Sequence, residues 1–196
     1  GTLIYYLDNE GNTIKGEQII NGKHLNFGKY GIQVKGNFAP NGLFYDAITG
    51  EPVTNRYVQI NDQSNSYNTL ENKDKWFYIG SDSKALKGEQ VINGVTVFFD
   101  KDGVQAKGIF ADDGFYYDKD SGARVNLGNN QFVQVNGNWY YLNNEGKMVK
   151  GEQVIDGNNF YFDKDGKQVK GNFAENGAYY DENSGVQVTN RYVNFN

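Results

Sequence analysis

The feature that most constrains the fold is internal repetition. The tetrapeptide Lys-Gly-Glu-Gln occurs three times, with its lysine at Lys15, Lys87 and Lys150. A Gln-x-Lys-Gly element follows each of them after a similar interval, with its glutamine at Gln33, Gln105 and Gln168. Because a short repeat cannot bury an interior alone, such a chain has to stack its repeats on one another.

The spacing of these motifs predicts three units and one inserted loop. Repeat 1 covers residues 1–62, the insertion covers 63–75, repeat 2 covers 76–137 and repeat 3 covers 138–196. The insertion lies in "DQSNSYNTLENKDK", which has no counterpart in repeat 3. Insertions at one point of a repeat belong in loops.

A shorter pattern inside each repeat predicts β-hairpins. In repeat 3 it reads "WYYLNNEGKMVKG", "NFYFDKDGKQVKG" and "AYYDENSGVQVTN". Each copy has aromatic residues, a polar turn that closes on glycine, and an alternating segment, which is typical of a hairpin. An isolated hairpin is marginally stable, so we predict an all-β fold, a β-solenoid of about nine stacked hairpins.

Strand alternation predicts which side chains point inward. In repeat 3 the interior set is Tyr140, Leu142, Phe160 and Phe162 with Val149 and Val169 of the returning segments. The outward set is Trp139, Tyr141, Tyr161 and Tyr180, beside Gln168 and Lys170.

The sequence argues against metal and catalytic chemistry. The loop around Gly166 has a tyrosine and an asparagine at the positions where an EF-hand needs its first and last ligands. We therefore interpret Asp100, Asp102, Asp163 and Asp165 as turn residues. Nearly all acidic residues recur at repeated positions, which argues against a unique catalytic pair, and His24 is expected to be an exposed strand residue. We predict no catalytic residue, no metal and no cofactor.

Charge and hydropathy restrict the partners. The net charge of -5 comes from interspersed acids and bases, with no basic block to follow a nucleic acid backbone. No apolar run is long enough for membrane insertion, and the chain lacks cysteine. The first residues lack signal-peptide features, so we expect an excised segment of a longer protein.

The outward aromatics carry the functional hypothesis. One interpretation is that they only seal the joints between hairpins. The other follows from their neighbours, because a tyrosine ring offers an apolar platform to the C–H face of a sugar, while glutamine and lysine hydrogen-bond its hydroxyls. This combination favours a neutral polyol as ligand.

The hairpins such as "WYYLNNEG", the turn "FDKDGKQVKG", and "YYDENSGVQVTNRYV" with its second copy "FYDAITGEPVTNRYV" resemble the glucan-binding repeats in the C-terminal domain of bacterial glucansucrases and dextransucrases. The resemblance covers essentially the whole chain. It implies a non-catalytic module of a secreted or cell-surface bacterial protein that holds α-glucan polymer and isomalto-oligosaccharides near the catalytic domain of the parent enzyme, which acts on sucrose.

The resemblance also implies the binding residues, a Gln-x-Lys pair with a stacking tyrosine in each repeat. These are Gln168 and Lys170 with Tyr161 or Tyr180, Gln105 and Lys107 with Tyr117, and Gln33 and Lys35 with Tyr45. Where repeat 3 has Tyr161, repeat 2 has Phe98 and repeat 1 has Asn26, so we rank the third pocket as the most competent and the first as the least.

Two alternatives to this function stay open. The chain could be a structural spacer or a protein-contacting repeat domain that does not bind sugar. Choline-binding repeats share the hairpin architecture, but choline needs an aromatic cage, and the lysine of every Gln-x-Lys pair would repel its quaternary ammonium.

Overall fold

The computed structural model of the chain describes residues 2–60 and 75–193. The predicted insertion loop lies outside these ranges except for Lys75. The described residues contain no helix and form strands in the following chain order: β1 Gly16–Ile20, β2 Lys23–Phe27, β3 Asn37–Phe38, β4 Phe44–Tyr45, β5 Arg56–Ile60, β6 Lys75–Ile79, β7 Gly88–Ile92, β8 Val95–Phe99, β9 Ile109–Phe110, β10 Tyr116–Tyr117, β11 Arg124–Val125, β12 Gln131–Val135, β13 Asn138–Leu142, β14 Gly151–Ile155, β15 Asn158–Phe162, β16 Asn172–Phe173 and β17 Tyr179–Tyr180.

The chain forms two compact units, an N-terminal unit Gly1–Ala106 with β1–β8 and a C-terminal unit Lys107–Asn196 with β9–β17. Every described sheet consists of antiparallel neighbours in the chain, such as β7 with β8 and β14 with β15. The all-β prediction is confirmed for the described residues. No helix among them could cross a membrane.

Two-residue turns close the long hairpins. Asp156 and Gly157 join β14 to β15 with φ of 49° and 77°, and Asn136 and Gly137 join β12 to β13 with φ of 49° and 79°. Positive φ at both central residues defines a type I′ turn, whose twist matches that of paired strands. These Asn-Gly and Asp-Gly pairs, rather than the longer polar turns, therefore set the register of the ladders that they close, β12 with β13 and β14 with β15.

The longer polar turns differ from the prediction. After β15 the chain turns at Asp163, whose carboxylate accepts the backbone N–H groups of Asp165 and Lys167 at 2.9 Å each. Asp100 caps the equivalent turn in repeat 2, so both aspartates are confirmed as turn residues. The returning segment, however, forms only an isolated bridge, Phe162 with Gln168, and no ladder. The Val169 N–H completes this bridge by bonding to Tyr161 of β15, while the Gln168 N–H bonds to β13 of another hairpin.

The predicted interior of repeat 3 is largely confirmed. Phe160 and Phe162 form a buried cluster with Ile155, and Val149 packs against it. Tyr140 and Leu142 are also buried, whereas Val169 is only half-buried.

The predicted outward face is confirmed only in part. Trp139 is 39% exposed and Tyr161 is half-buried. Tyr141, also half-buried, packs against the interior cluster. Tyr180 has no exposed surface, so its predicted outward orientation is wrong. Its position on the two-residue strand β17 turns the ring inward. His24 is exposed as predicted.

Candidate functional site

The third Gln-x-Lys element lies between two strands that carry aromatic side chains. The Gln168 N–H donates to the Trp139 carbonyl of β13 at 2.8 Å, and the Val169 N–H donates to the Tyr161 carbonyl of β15 at 2.8 Å. The Val169 bond belongs to the single bridge between the returning segment and β15, whereas the Gln168 bond reaches a different hairpin. They place Trp139 and Tyr161 on the two strands that border the element, and we call this arrangement the two-strand frame.

A loop after β17 provides carbonyl groups to the element. The Lys170 ammonium donates to the Asn183 carbonyl at 2.8 Å, and Gln168 Nε2 lies 3.4 Å from the Ser184 carbonyl. A Cβ added to Gly185, which has φ of +71°, would lie 2.2 Å from Gln168 Nε2. The glycine therefore allows the glutamine amide to approach the loop closely.

Asp181 holds this loop in shape. Its carboxylate accepts the backbone N–H and the hydroxyl of Ser184, each at 2.9 Å, and the Arg191 guanidinium at 2.9 Å. These contacts, above all the Ser184 N–H, lower the pKa of Asp181 to about 2. The carboxylate thus stays ionised and keeps the loop carbonyls oriented toward Gln168 and Lys170.

The aromatic side chains near the third element differ in accessibility. The Lys170 ammonium lies 5.7 Å from the centroid of the exposed Trp139 ring. Tyr161 packs against the buried ring of Tyr180 with centroids 5.9 Å apart, and the Tyr180 hydroxyl accepts Asn176 Nδ2 at 2.9 Å. Burial raises the pKa of Tyr161, which keeps its hydroxyl protonated and able to donate. Trp139 and Tyr161 are therefore the aromatic surfaces that a ligand can reach.

Repeat 1 has the same pattern of backbone hydrogen bonds, but the two residues whose carbonyls accept them are different. We call these residues the walls of the frame. The Gln33 N–H donates to the Ile4 carbonyl and the Val34 N–H to the Asn26 carbonyl, both at 2.8 Å. Neither wall residue is aromatic, and Asn26 is buried.

The loop contacts of repeat 1 also match those of repeat 3. The Lys35 ammonium donates to the Ile48 carbonyl at 2.6 Å. A Cβ on Gly50 would lie 2.4 Å from Gln33 Nε2. Tyr45 is fully buried, and its hydroxyl accepts Asn41 Nδ2 at 3.0 Å.

The residues of the second element fall in different compact units. In the N-terminal unit the Gln105 N–H donates to the Trp76 carbonyl and the Ala106 N–H to the Phe98 carbonyl, both at 2.8 Å. Gln105 itself is buried.

In the C-terminal unit the Lys107 ammonium donates to the Asp120 carbonyl at 2.8 Å. Tyr117 is fully buried, and its hydroxyl donates to Asp113 Oδ2 at 2.6 Å. The structure thus buries three of the tyrosines that were predicted to stack on a sugar, and none of the three presents an open ring face. They are Tyr45, Tyr117 and Tyr180.

Sequence reasoning placed Trp139 on the outward face beside Gln168 and Lys170, but it counted neither tryptophan among the binding residues. Trp76 and Trp139 are the two tryptophans of the chain, and both precede a Gln-x-Lys element by the same number of residues. That shared interval is the signal that could have placed them beside the element. Whether the predicted residues bind sugar stays a prediction.

Across the described residues, the acidic side chains do not form a metal-binding group. No group of three or more histidine, aspartate or glutamate side chains among them is placed to hold a metal ion. The ionised Asp181 and its counterpart Asp46, whose pKa is also about 2, serve the loops instead.

Comparison with known proteins identifies the family. A choline-binding repeat model matches residues 86–127 and 151–192, and a cell wall binding repeat model matches residues 130–148. Together these matches cover more than half of the chain. The chain belongs to the choline-binding and cell wall binding repeat family.

The chain is also similar to parts of larger proteins. It is 38% identical over 200 residues to Glucosyltransferase-S of Streptococcus mutans, covering 96% of this chain and 13% of that protein. Glucosyltransferase-S of Streptococcus downei is 36% identical over 145 residues, covering 70% of this chain and 10% of that protein. A solved structure of alternansucrase in complex with isomaltononaose is 25% identical with a TM-score of 0.33, covering 94% of this chain and 17% of that one.

The chain therefore corresponds to a repeat region and spans about one eighth of the length of the curated relatives that it matches.

Proposed function

We propose that this chain is a non-catalytic α-glucan-binding module that belongs to a larger glucansucrase-type protein. The observation that carries the proposal is the two-strand frame of repeat 3, which brings an amide, an ammonium and two accessible aromatic surfaces together. The similarity to streptococcal glucosyltransferases favours a glucan as the ligand of these groups.

The third site suits a neutral sugar ring. Tyr161 offers a half-buried ring for the C–H face of a glucosyl unit, and its protonated hydroxyl adds a donor. Gln168 can donate and accept, and an ammonium has three N–H donors, of which Lys170 uses one on Asn183. The proposal assigns Tyr180 a supporting role under Tyr161, because its own ring is buried.

The first and second elements extend the proposal with graded strength. Phe98 in repeat 2 keeps an aromatic wall where repeat 3 has Tyr161, while Asn26 in repeat 1 does not. We rank the third site above the first. The sugar-binding groups are Gln168, Lys170 and Tyr161 at the third site, and Gln33 and Lys35 at the first, where Tyr45 is a buried support.

The larger arrangement is part of the proposal. Three sequence repeats of stacked hairpins would form a β-solenoid, and the inter-hairpin bonds Gln33 to Ile4, Gln105 to Trp76 and Gln168 to Trp139 support such stacking. Several shallow sites on one chain give avidity of roughly 10²-fold for a polymer, because later contacts become intramolecular. Such a module would hold glucan near the catalytic domain of its parent enzyme, outside the cell or at its surface.

Affinity electrophoresis in gels with and without dextran tests the function. We expect dextran to retard the intact chain, and the double variant Gln168→Ala, Lys170→Ala to be retarded less. The matched control is Gln153→Ala, Lys150→Ala, which changes composition and charge identically but removes a local hairpin contact. Equal mobility of the intact chain with and without dextran would favour the spacer function.

Choline is the second candidate ligand, because the family model that matches is a choline-binding repeat. The third site disfavours it, because the Lys170 ammonium lies 5.7 Å from the centroid of the Trp139 ring and would repel a quaternary ammonium there, whereas it would not repel a neutral sugar. Retention on a choline-substituted resin, released by free choline but unaffected by dextran, would reverse this preference.

A further inference from the structure

We infer that the exposed indole of Trp139 and the amide of Gln134 form a second sugar subsite, which binds the glucosyl unit next to the one held by Gln168 and Lys170. This inference rests on the proposed function and deepens it. It changes the expected ligand of one site from a single sugar to a segment of at least two linked units.

The first support is the accessibility of the indole. Trp139 is 39% exposed, whereas its strand neighbour Tyr140 is 8% exposed and Leu142 is fully buried. Its backbone carbonyl is fixed by the Gln168 N–H at 2.8 Å. The strand therefore holds a large apolar ring at the surface beside the element, without using that ring for the interior.

The second support is the residue opposite the indole. Gln134 pairs directly with Trp139 across the β12–β13 ladder, and directly paired side chains lie within contact distance of each other. Gln134 Nε2 makes a contact of 3.4 Å with the Gly137 carbonyl, which is long for an N–H···O bond and easily exchanged for a sugar hydroxyl. A ring platform beside a neutral amide is chemistry suited to a sugar.

The third support is that the N-terminal unit contains the same pair. Gln59 is directly opposite Trp76 across the β5–β6 ladder, and the Trp76 carbonyl accepts the Gln105 N–H. Both tryptophans of the chain thus stand opposite a glutamine and next to a Gln-x-Lys element. At the corresponding point of repeat 1 the carbonyl belongs to Ile4, which offers no ring.

Lys170 connects the two subsites. Its ammonium lies 5.7 Å from the Trp139 ring centroid while it donates to the Asn183 carbonyl. A cation at this distance is attracted to the ring and fixes the orientation of the indole. The ammonium donates to Asn183 and has two further N–H donors, which could serve hydroxyls of a sugar unit on the indole as well as of the unit held by Gln168.

Tryptophan fluorescence tests the inference directly. In the single-tryptophan variant Trp76→Phe, emission reports only on Trp139. We expect isomaltotriose to change the emission saturably, with isomaltose close behind and glucose at least fivefold weaker. If the Trp76→Phe variant folds poorly, the difference between the intact chain and Trp139→Phe gives the same reading.

Calorimetry of the same ligands separates the two proposals. We expect Gln134→Ala to weaken isomaltotriose binding about three- to tenfold, while the matched Gln153→Ala, whose amide serves only a local Lys150 contact, leaves it unchanged. Binding that depends on Gln168 without any change of Trp139 emission would overturn the subsite but keep the glucan site. Absence of isomaltotriose and dextran binding would overturn both, as would a Trp139 response to choline but not to isomaltotriose.

Discussion

Repeats 1 and 3 share a backbone frame but differ in the side chains that border it. In both, the glutamine N–H and the next N–H bond to carbonyls of two separate segments, and the lysine donates to a loop carbonyl. In repeat 3 the bordering residues are Trp139 and Tyr161, and in repeat 1 they are Ile4 and Asn26. The backbone hydrogen bonds of the frame thus form whichever side chains border it. We expect sugar binding to depend on the bordering side chains.

The largest effect that tests this view comes from the loop glycines. Gly185→Ala should lower the free energy of unfolding by about 2–3 kcal/mol, because its Cβ would collide with Gln168 Nε2 and its positive φ is strained. Gly177→Ala has the same φ strain with nothing within 4 Å, so it should cost only about 1 kcal/mol.

Urea denaturation measures both glycine variants. Gly50→Ala should match Gly185→Ala, since Gln33 is equally close to it. If Gly50→Ala lowered the free energy of unfolding as little as Gly177→Ala does, the frames of repeats 1 and 3 would not be equivalent.

The next prediction separates the contribution of the aromatic wall residues to binding from that of the backbone frame. The double variant Gln168→Ala, Lys170→Ala should weaken dextran retention about tenfold, whereas Gln33→Ala, Lys35→Ala should change it less than twofold, because repeat 1 lacks aromatic walls. Affinity electrophoresis at graded dextran concentrations gives both values. Equal losses would mean that the amide and ammonium, not the aromatic walls, decide competence.

Acid should destabilise the loop held by Asp46 and the loop held by Asp181 in the same way. Asp46 and Asp181 each have a pKa lowered to about 2, mainly by backbone N–H donors, and each also pairs with an arginine, Arg56 or Arg191. Because folding lowers these values, the stability they contribute is complete above the ordinary pKa of 3.8 and is lost as the pH falls toward 2.

Thermal unfolding followed between pH 5 and pH 2 should show this decline, and Asp181→Asn should make it shallower. A profile for Asp181→Asn that falls as steeply as that of the intact chain would contradict the assignment.

The smallest effect concerns the buried tyrosines. Tyr180→Phe and Tyr45→Phe each remove a hydroxyl that accepts an asparagine amide, at 2.9 and 3.0 Å, and each should cost about 0.5–1 kcal/mol. Because the rings are buried, neither change should alter sugar affinity at its own site. Calorimetry with isomaltotriose checks this for Tyr180→Phe, and a clear loss of affinity would mean that its ring reaches the ligand.

Sequence reasoning predicted the all-β hairpin fold, the polar turns at Asp100 and Asp163, and the inward set around Phe160 and Phe162. These follow from local rules, because period-two alternation and turn residues act over a few positions. It failed where a segment chose among several possible partners. The segment after Gly166 returns along β15 as predicted, but for a single bridge only, and the Gln168 N–H bonds to β13 of another hairpin.

The sequence by itself determined the repetition, the strand-forming segments and the Gln-x-Lys elements, because these are written in residue order and in the conformational preferences of Asn, Asp and Gly. Only the tertiary structure decided that Tyr180 is buried and that the Gln168 N–H bonds to the Trp139 carbonyl of another hairpin. Alternation assigns a side chain to one of two faces, but whether a face is open depends on which neighbouring hairpin packs against it.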